Sequence, residues 1–294
     1  MNRKHSHYHK LRKRWTKRHR ELQSKLYTTH GEALHWLGSN AKQLAIGSTA
    51  GLMLLHSASP LVASASQIQT PPQEQHVPPP IDKSIFLLND LRQYLPVTVG
   101  PISGEQAQVL GDILSKYFHM DVEASINGIA LNTVYGYIGA EQHLARYPGD
   151  TMASHFDNQS DADTYWSSGM APGLGAWGYF APSKEQMTEE DVLREKYYIA
   201  VQTFLAPGYM EHTAEYNDFF KYHKMLVVNP ENGKALVADI GDAGPAAWTG
   251  KQLGGSPEVM SYLERVDGAQ KGPVLYYFIN DPKDNIPLGP VSVQ

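Results

Sequence analysis

Cysteine is absent from the 294 residues. Its absence excludes disulfides, a thiolate metal site, a cysteine nucleophile and a lipidated cysteine. A chain of this length can be stable through its core alone. Charge is also sparse, with Asp, Glu, Lys and Arg making up 19% of the residues. Hydrophobic residues reach 41%, alongside 25 glycines and 19 prolines. That composition supports a packed core and points to a turn-rich, β-containing fold rather than a helical bundle.

The charge that is present is unevenly placed. Residues 1–42 hold 11 Lys and Arg against Glu21 and Glu32, a net of about +9, and six of the 13 histidines. The remainder holds 14 basic against 28 acidic residues, about −14. Charge then vanishes from 43 to 73, where "LAIGSTAGLMLL" (44–55) is an apolar run followed by small residues at Ala63 and Ala65. A basic start, a short apolar core and an A-x-A site form a secretory signal. The 22-residue span Leu44–Ala65 is also long enough for an uncleaved anchor. Both readings keep the basic head inside and send the rest out of the cytoplasm. The competing reading, a basic tail binding nucleic acid, is not preferred, so no nucleic-acid partner is expected. "SQIQTPPQEQHVPPPIDK" (66–83) reads as an extended linker. The expected organisation is therefore a disordered basic region (1–43), one hydrophobic segment (44–65) and a linker (66–83), followed by two folded parts.

The first folded part, 84–158, reads as a small α+β module. "SIFLLNDLRQYL" (84–95) has helical apolar spacing. Ser103 with Gln106 three residues on predicts a capped helix through Phe118. "MDVEASI" (120–126) reads as a strand, and Asn127-Gly128 as the turn of a hairpin. Glu141, His143, Asp150, His155 and Asp157 then fall within 17 residues. These residue types could build a zinc or acid–base site. However, HExxH is absent, and "DNQSDAD" (157–163) lacks the glycine and ligand pattern of a calcium loop. The expectation is structural or surface residues, with Glu141 and His143 on an exposed helix, and with no metal and no cofactor.

The second part, 165–280, is rich in strands and turns. "GLGAWGYFA" (173–181) and "EKYYIAVQTFL" (195–205) read as β segments. "KMLVVNPENGKALVADIGDAGP" (224–245) holds two apolar strands joined at Asn232-Gly233. "SPEVMSYL" (256–263) predicts a short helix capped by Ser256 with Pro257 in its first turn, and "GPVLYYFIND" (272–281) a closing strand. Five strands and a helix suit a small barrel.

The stretch 225–245 resembles the core of the rare-lipoprotein-A and expansin-like family, at Asn229, Asn232, Gly233, Lys234, Asp242, Gly244 and Pro245. "GAWGYF" (175–180) and "YYIAVQT" (197–203) resemble its flanking segments. The resemblance implies an α+β chain ending in a six-stranded double-psi β-barrel and acting outside the cytoplasm. Its implied partner is a cell-wall glycan, which the barrel binds, remodels or, in lytic transglycosylases, cleaves. It also implies Asp242 as the acid or base. Trp177, Tyr179 and Trp248 are candidate glycan-stacking residues.

Three family positions differ here. Ala243 stands where active members carry Arg, Gln202 where they carry His, and "GGSPE" (254–258) where they carry a further Asp. Glu195 is the candidate second carboxyl, with His212 or His223 as the histidine. Each has a plainer alternative. Asp242 can cap the turn before Gly244-Pro245. The aromatics can be core, and Glu195 can be a solvated charge in "TEEDVLREK" (188–196).

Overall fold

The computed structural model describes residues 82–265 and 271–294. The expected basic head, the Leu44–Ala65 signal or anchor, and all but the last two residues of the linker lie outside the described residues. Among the described residues, no helix is long and apolar enough to cross a membrane. The described residues belong to one unit.

The two helices expected in the first folded part form where their spacing predicts, as does the Ser256-capped helix at Pro257–Tyr262. In α1 (Ser84–Tyr94), Leu87 and Leu91 lie one turn apart and are buried. α2 (Gly104–Phe118) opens on a reciprocal capping box between Ser103 and Gln106 and ends at His119 in the left-handed conformation. Segment 120–126 is not one strand, because its halves take different partners. β1 (Val122–Glu123) pairs with the last barrel strand. β2 (Ser125–Ile126) pairs with β3 (Ile129–Ala130) across Asn127 and Gly128. Both turn residues have positive φ, 52° and 81°, as a primed hairpin turn requires.

Six strands close the barrel: β4 (Tyr135–Ala140), β5 (Tyr198–Val201), β6 (Lys224–Val228), β7 (Ala235–Ala243), β8 (Leu253–Gly255) and β9 (Lys271–Ile279). Around the barrel the order is β4, β8, β5, β7, β6, β9 and back to β4. The pairs β4/β8 and β5/β7 are parallel and the others antiparallel. A short β10 (Gly289–Val291) adds to β7 outside the ring. Segment 165–280 thus supplies five staves. The sixth, β4, comes from segment 84–158.

Alternation along the staves builds two cores. Val227 on β6, Leu236, Ala238 and Ile240 on β7, and Val274, Tyr276 and Phe278 on β9 fill the barrel interior. Their neighbours Leu226, Val237, Leu275, Tyr277 and Ile279 face outward under α1 and α2. These strands are therefore buried on both faces, which is why they read as unbroken apolar runs. α2 approaches closely because Gly111 has no side chain. A Cβ there would lie 3.2 Å from the Val122 carbonyl oxygen and 3.4 Å from the Tyr277 ring. The Tyr277 hydroxyl donates to the Ala107 carbonyl at 3.0 Å. Leu87, Leu91, Leu110 and Leu114 are fully buried in this layer, each worth about 1.5–3 kcal/mol. That burial ties the helices to the barrel.

Candidate functional site

Asp242 sits near the end of β7, and a β-bulge decides where it points. Ile199 pairs with Ile240, but Ala200 pairs with Asp242, so Gly241 is an extra residue on β7. Leu236, Ala238 and Ile240 face inward. Unbroken alternation would send Asp242 inward as well. The extra residue reverses the face, as bulges do, and Asp242 emerges on the outside. Glycine is needed at 241, since a Cβ would lie 2.6 Å from the Tyr198 Cβ.

On this outer face one register row runs Gly139, Gly254, Ala200, Asp242. Three of the four are small, and other groups cover them. A Cβ on Gly254 would lie 2.3 Å from Glu141 Oε1. Glu141 therefore lies over β8, where Lys251 Nζ donates to Oε1 at 2.5 Å. Gly254 and Asp242 are two strand spacings apart, about 10 Å. Glu141 is thus the carboxylate the fold places on Asp242's face.

Loop 175–180 docks over the bulge. Asp242 Oδ1 accepts the backbone N–H of Ala176 at 2.6 Å and of Ala243 at 2.8 Å. Among the described residues, Oδ2 receives no hydrogen bond. Burial pushes the Asp242 carboxyl up, partly offset by those two backbone donors. The segment expected as a strand at 173–181 is a loop with one bridge, Gly175 to Gly178, because Gly178 turns the chain at φ 82°.

The three aromatic candidates separate here. Trp177 packs on the barrel core and its indole donates to the Ile240 carbonyl at 2.9 Å, so it holds the loop down. Tyr179 and Trp248 are open to solvent, Trp248 at 89% exposure. Gln202, at the position where the resemblance expects His, is buried. Its side chain donates to the carbonyls of Pro245 at 2.9 Å and Lys251 at 3.2 Å, fixing the loop between β7 and β8. His212 pairs with Glu215 on the surface.

Glu195 is not the solvated charge the acidic segment implied. Past the short helices α3 (Met152–His155) and α4 (Gln159–Tyr165), it lies near the end of α5 (Glu189–Lys196) and is 3% exposed. Likewise, Glu141 and His143 do not lie on an exposed helix. They follow β4 in an extended strap in which His143 is wholly buried. Sequence reading missed what this strap assembles. Glu195 Oε1 accepts the Leu144 N–H at 2.9 Å and lies 3.3 Å from His143 Nδ1. Glu195 Oε2 lies 3.0 Å from His155 Nε2. The other His155 nitrogen, Nδ1, lies 2.9 Å from Asp150 Oδ2. Arg146 bonds Asp150 through its backbone N–H at 3.0 Å and its side chain at 3.4 Å, and also the His155 carbonyl.

The proton affinities follow from these contacts. Burial works to raise the Glu195 and Asp150 carboxyls, but the His143 and His155 bonds on Glu195, and the His155 and Arg146 bonds on Asp150, hold both at about 2. Burial works to lower His155, but the two carboxylates outweigh it and bring it to about 9. Two carboxylates thus balance an imidazolium and a guanidinium in a buried cluster. A carboxyl held at about 2 is a poor proton donor near neutrality. Of the described residues, His143, His155 and Glu195 also offer donor atoms within 4.8 Å of one another, so they could hold a metal ion.

The strap links this cluster to the outer face. The Tyr198 hydroxyl donates to the Gln142 carbonyl. Burial pushes the Tyr198 phenol up, and Glu195, Glu141, Asp242 and Glu258 add to it. Leu144 Cδ1 and Asp242 Cγ both approach the position of a Gly175 Cβ, at 3.0 and 3.6 Å.

A separate pocket of about 760 Å³ opens beside β7, lined in part by Arg194, Tyr222, His223 and Asp239. Asp239 is 1% exposed, and among the described residues neither of its carboxylate oxygens has a hydrogen-bond partner. Arg194 Nε is 3.9 Å away. Burial pushes the Asp239 carboxyl well above its ordinary value. Its effect on stability is therefore least harmful below pH 4 and grows as pH rises toward the folded-state value. Asp239→Asn is expected to flatten this slope, so that its stability relative to wild type rises by up to about 1.4 kcal/mol for each pH unit above the ordinary Asp value. Urea midpoints from pH 4 to 8 check it, and parallel slopes for variant and wild type would refute it.

Together these features define a closed six-stranded mixed β-barrel carrying one half-buried, outward carboxyl and a buried His–carboxylate cluster. No family model, no curated protein and no solved structure matches the chain.

Proposed function

We propose that this protein works outside the cytoplasm as a wall-polysaccharide-binding or remodelling barrel of the rare-lipoprotein-A and expansin kind, with double-psi topology and peptidoglycan as the first glycan to test. The observation that carries the reading is Asp242. It is turned outward by a bulge, held through one oxygen by two backbone N–H groups, and given raised proton affinity by burial. Two parallel strand pairs within a closed six-stranded ring support the topology. The exposed rings of Tyr179 and Trp248 can stack on the apolar faces of sugars. The signal or anchor at 44–65 supports export.

A second reading is a lytic transglycosylase, favoured by the unbonded Oδ2 and raised proton affinity of Asp242. One carboxyl can protonate the leaving oxygen and then, as base, activate the sugar's own hydroxyl. In this reading Glu141, rather than Glu195, is the carboxylate that shares the face.

The test is co-sedimentation of the full chain with purified peptidoglycan sacculi and with cellulose, paired with a peptidoglycan zymogram, for wild type and Asp242→Asn. Retention without clearing supports binding alone. Clearing that Asp242→Asn abolishes supports cleavage. Neither retention nor clearing on any wall polysaccharide would sink both readings.

A further inference from the structure

We propose that His143, His155 and Glu195 bind one divalent transition-metal cation, zinc by preference, with Asp150 orienting the His155 ring. Two imidazoles and a carboxylate are a zinc donor set, and without cysteine the chain can offer zinc only nitrogen and oxygen ligands. A tetrahedral ion with bonds of about 2.0–2.1 Å holds its donors about 3.4 Å apart. The structure already holds His143 Nδ1 at 3.3 Å and His155 Nε2 at 3.0 Å from the Glu195 oxygens, and all three donors lie within 4.8 Å. Drawing the three donors in to that spacing, from separations of up to 4.8 Å, would close them around the ion.

The surrounding shell has the form that metal-bound histidines require. Asp150 Oδ2 lies 2.9 Å from His155 Nδ1, which fixes the ring with its Nε2 lone pair toward the ion. The Leu144 N–H steadies Glu195 at 2.9 Å. Among the described residues, His143 Nε2 is buried without a hydrogen-bond partner. Glu258 Oε2 is also buried with no partner, and the two side chains are electrostatic neighbours. With Nδ1 on the ion, the His143 Nε2–H would need an acceptor, and Glu258 is the neighbouring carboxyl. Every donor residue is buried, so the ion is structural. It pins strap 141–158 to α5, and with it Glu141 and Leu144 beside the Asp242 face.

The experiment is titration of the chelator-treated full-length protein with Co²⁺ and Zn²⁺. The readouts are the visible Co²⁺ absorption, the metal content after dialysis and the thermal midpoint. Wild type is expected to develop a four-coordinate Co²⁺ spectrum, retain zinc after dialysis and melt at higher temperature with zinc. His143→Ala with His155→Ala is expected to lose the spectrum, and Asp150→Asn to bind about 10–100-fold more weakly. Asp157→Ala, on the exposed side of Arg146, is expected to bind as wild type. A folded wild type without the spectrum would overturn the proposal. So would a spectrum that survives the double substitution, which would assign uptake to the histidine-rich residues 1–42. Because the Co²⁺ spectrum is read on wild type, misfolding of a variant does not blunt the test. Glycan binding plays no part in any readout.

Discussion

Glu195→Ala is expected to cost about 3–5 kcal/mol of stability in chelator-treated protein, a large share of the roughly 5–15 kcal/mol that holds a domain of this kind together. The variant would leave His155 with one carboxylate instead of two, and the buried Leu144 N–H and His143 Nδ1 without an acceptor. Asp157→Ala is the matched control. Asp157 also contacts the cluster, at 3.3 Å from Arg146 Nη1, but its side chain is 56% exposed. Its removal is expected to cost under about 1 kcal/mol. Urea denaturation of both variants checks the contrast, and equal costs would refute it.

The same cluster sets a pH window. Asp150 and Glu195, at about 2 in the folded protein, ordinarily titrate near 3.8 and 4.5. Their contribution is complete above about 4.5 and is lost as pH falls toward 2. His155, at about 9 against an ordinary 6.5, contributes fully below 6.5 and loses that contribution as pH rises through 9. The cluster therefore stabilises most between about pH 4.5 and 6.5 in metal-free protein.

Under the proposed glycan-binding function, Trp248→Ala is expected to weaken retention on wall glycan about 30-fold or more, the effect of an aromatic hot spot worth about 2 kcal/mol, with no measurable loss of stability. The two effects separate because the ring is 89% exposed and contributes no packing to either core. Trp177→Ala should behave in the opposite way. That ring is packed on the barrel and bonded to Ile240, so its loss frees loop 175–180 and lowers stability first. Co-sedimentation isotherms and thermal melts of the two variants check the pair. Unchanged retention in Trp248→Ala would remove that ring from the binding surface.

Local signals in the sequence had local causes. The Ser103–Gln106 cap and the turn glycines Gly128 and Gly233 are decided within four residues, and each appears where expected. Asp242 was legible as a candidate because its surroundings resemble a family pattern, but its direction was not. The cluster of His143, Asp150, His155 and Glu195 gave no usable spacing, because Glu195 lies 40 residues beyond His155. Glu141 was legible only as one of five clustered acids and histidines, since its place depends on the glycine at 254.

By itself the sequence determined the helices at 84–94, 104–118 and 257–262, the β6–β7 hairpin, the apolar staves and the barrel character of the C-terminal part. Those features follow from periodicity and turn chemistry, which act over a few residues. The tertiary structure alone decided that β4 joins the barrel, since its parallel partner β8 lies more than a hundred residues away. It alone placed Glu195 in the interior beside two histidines. It alone turned Asp242 outward, because one extra residue at Gly241 reverses the side-chain alternation, and a bulge is set by pairing with another strand, which no local pattern records.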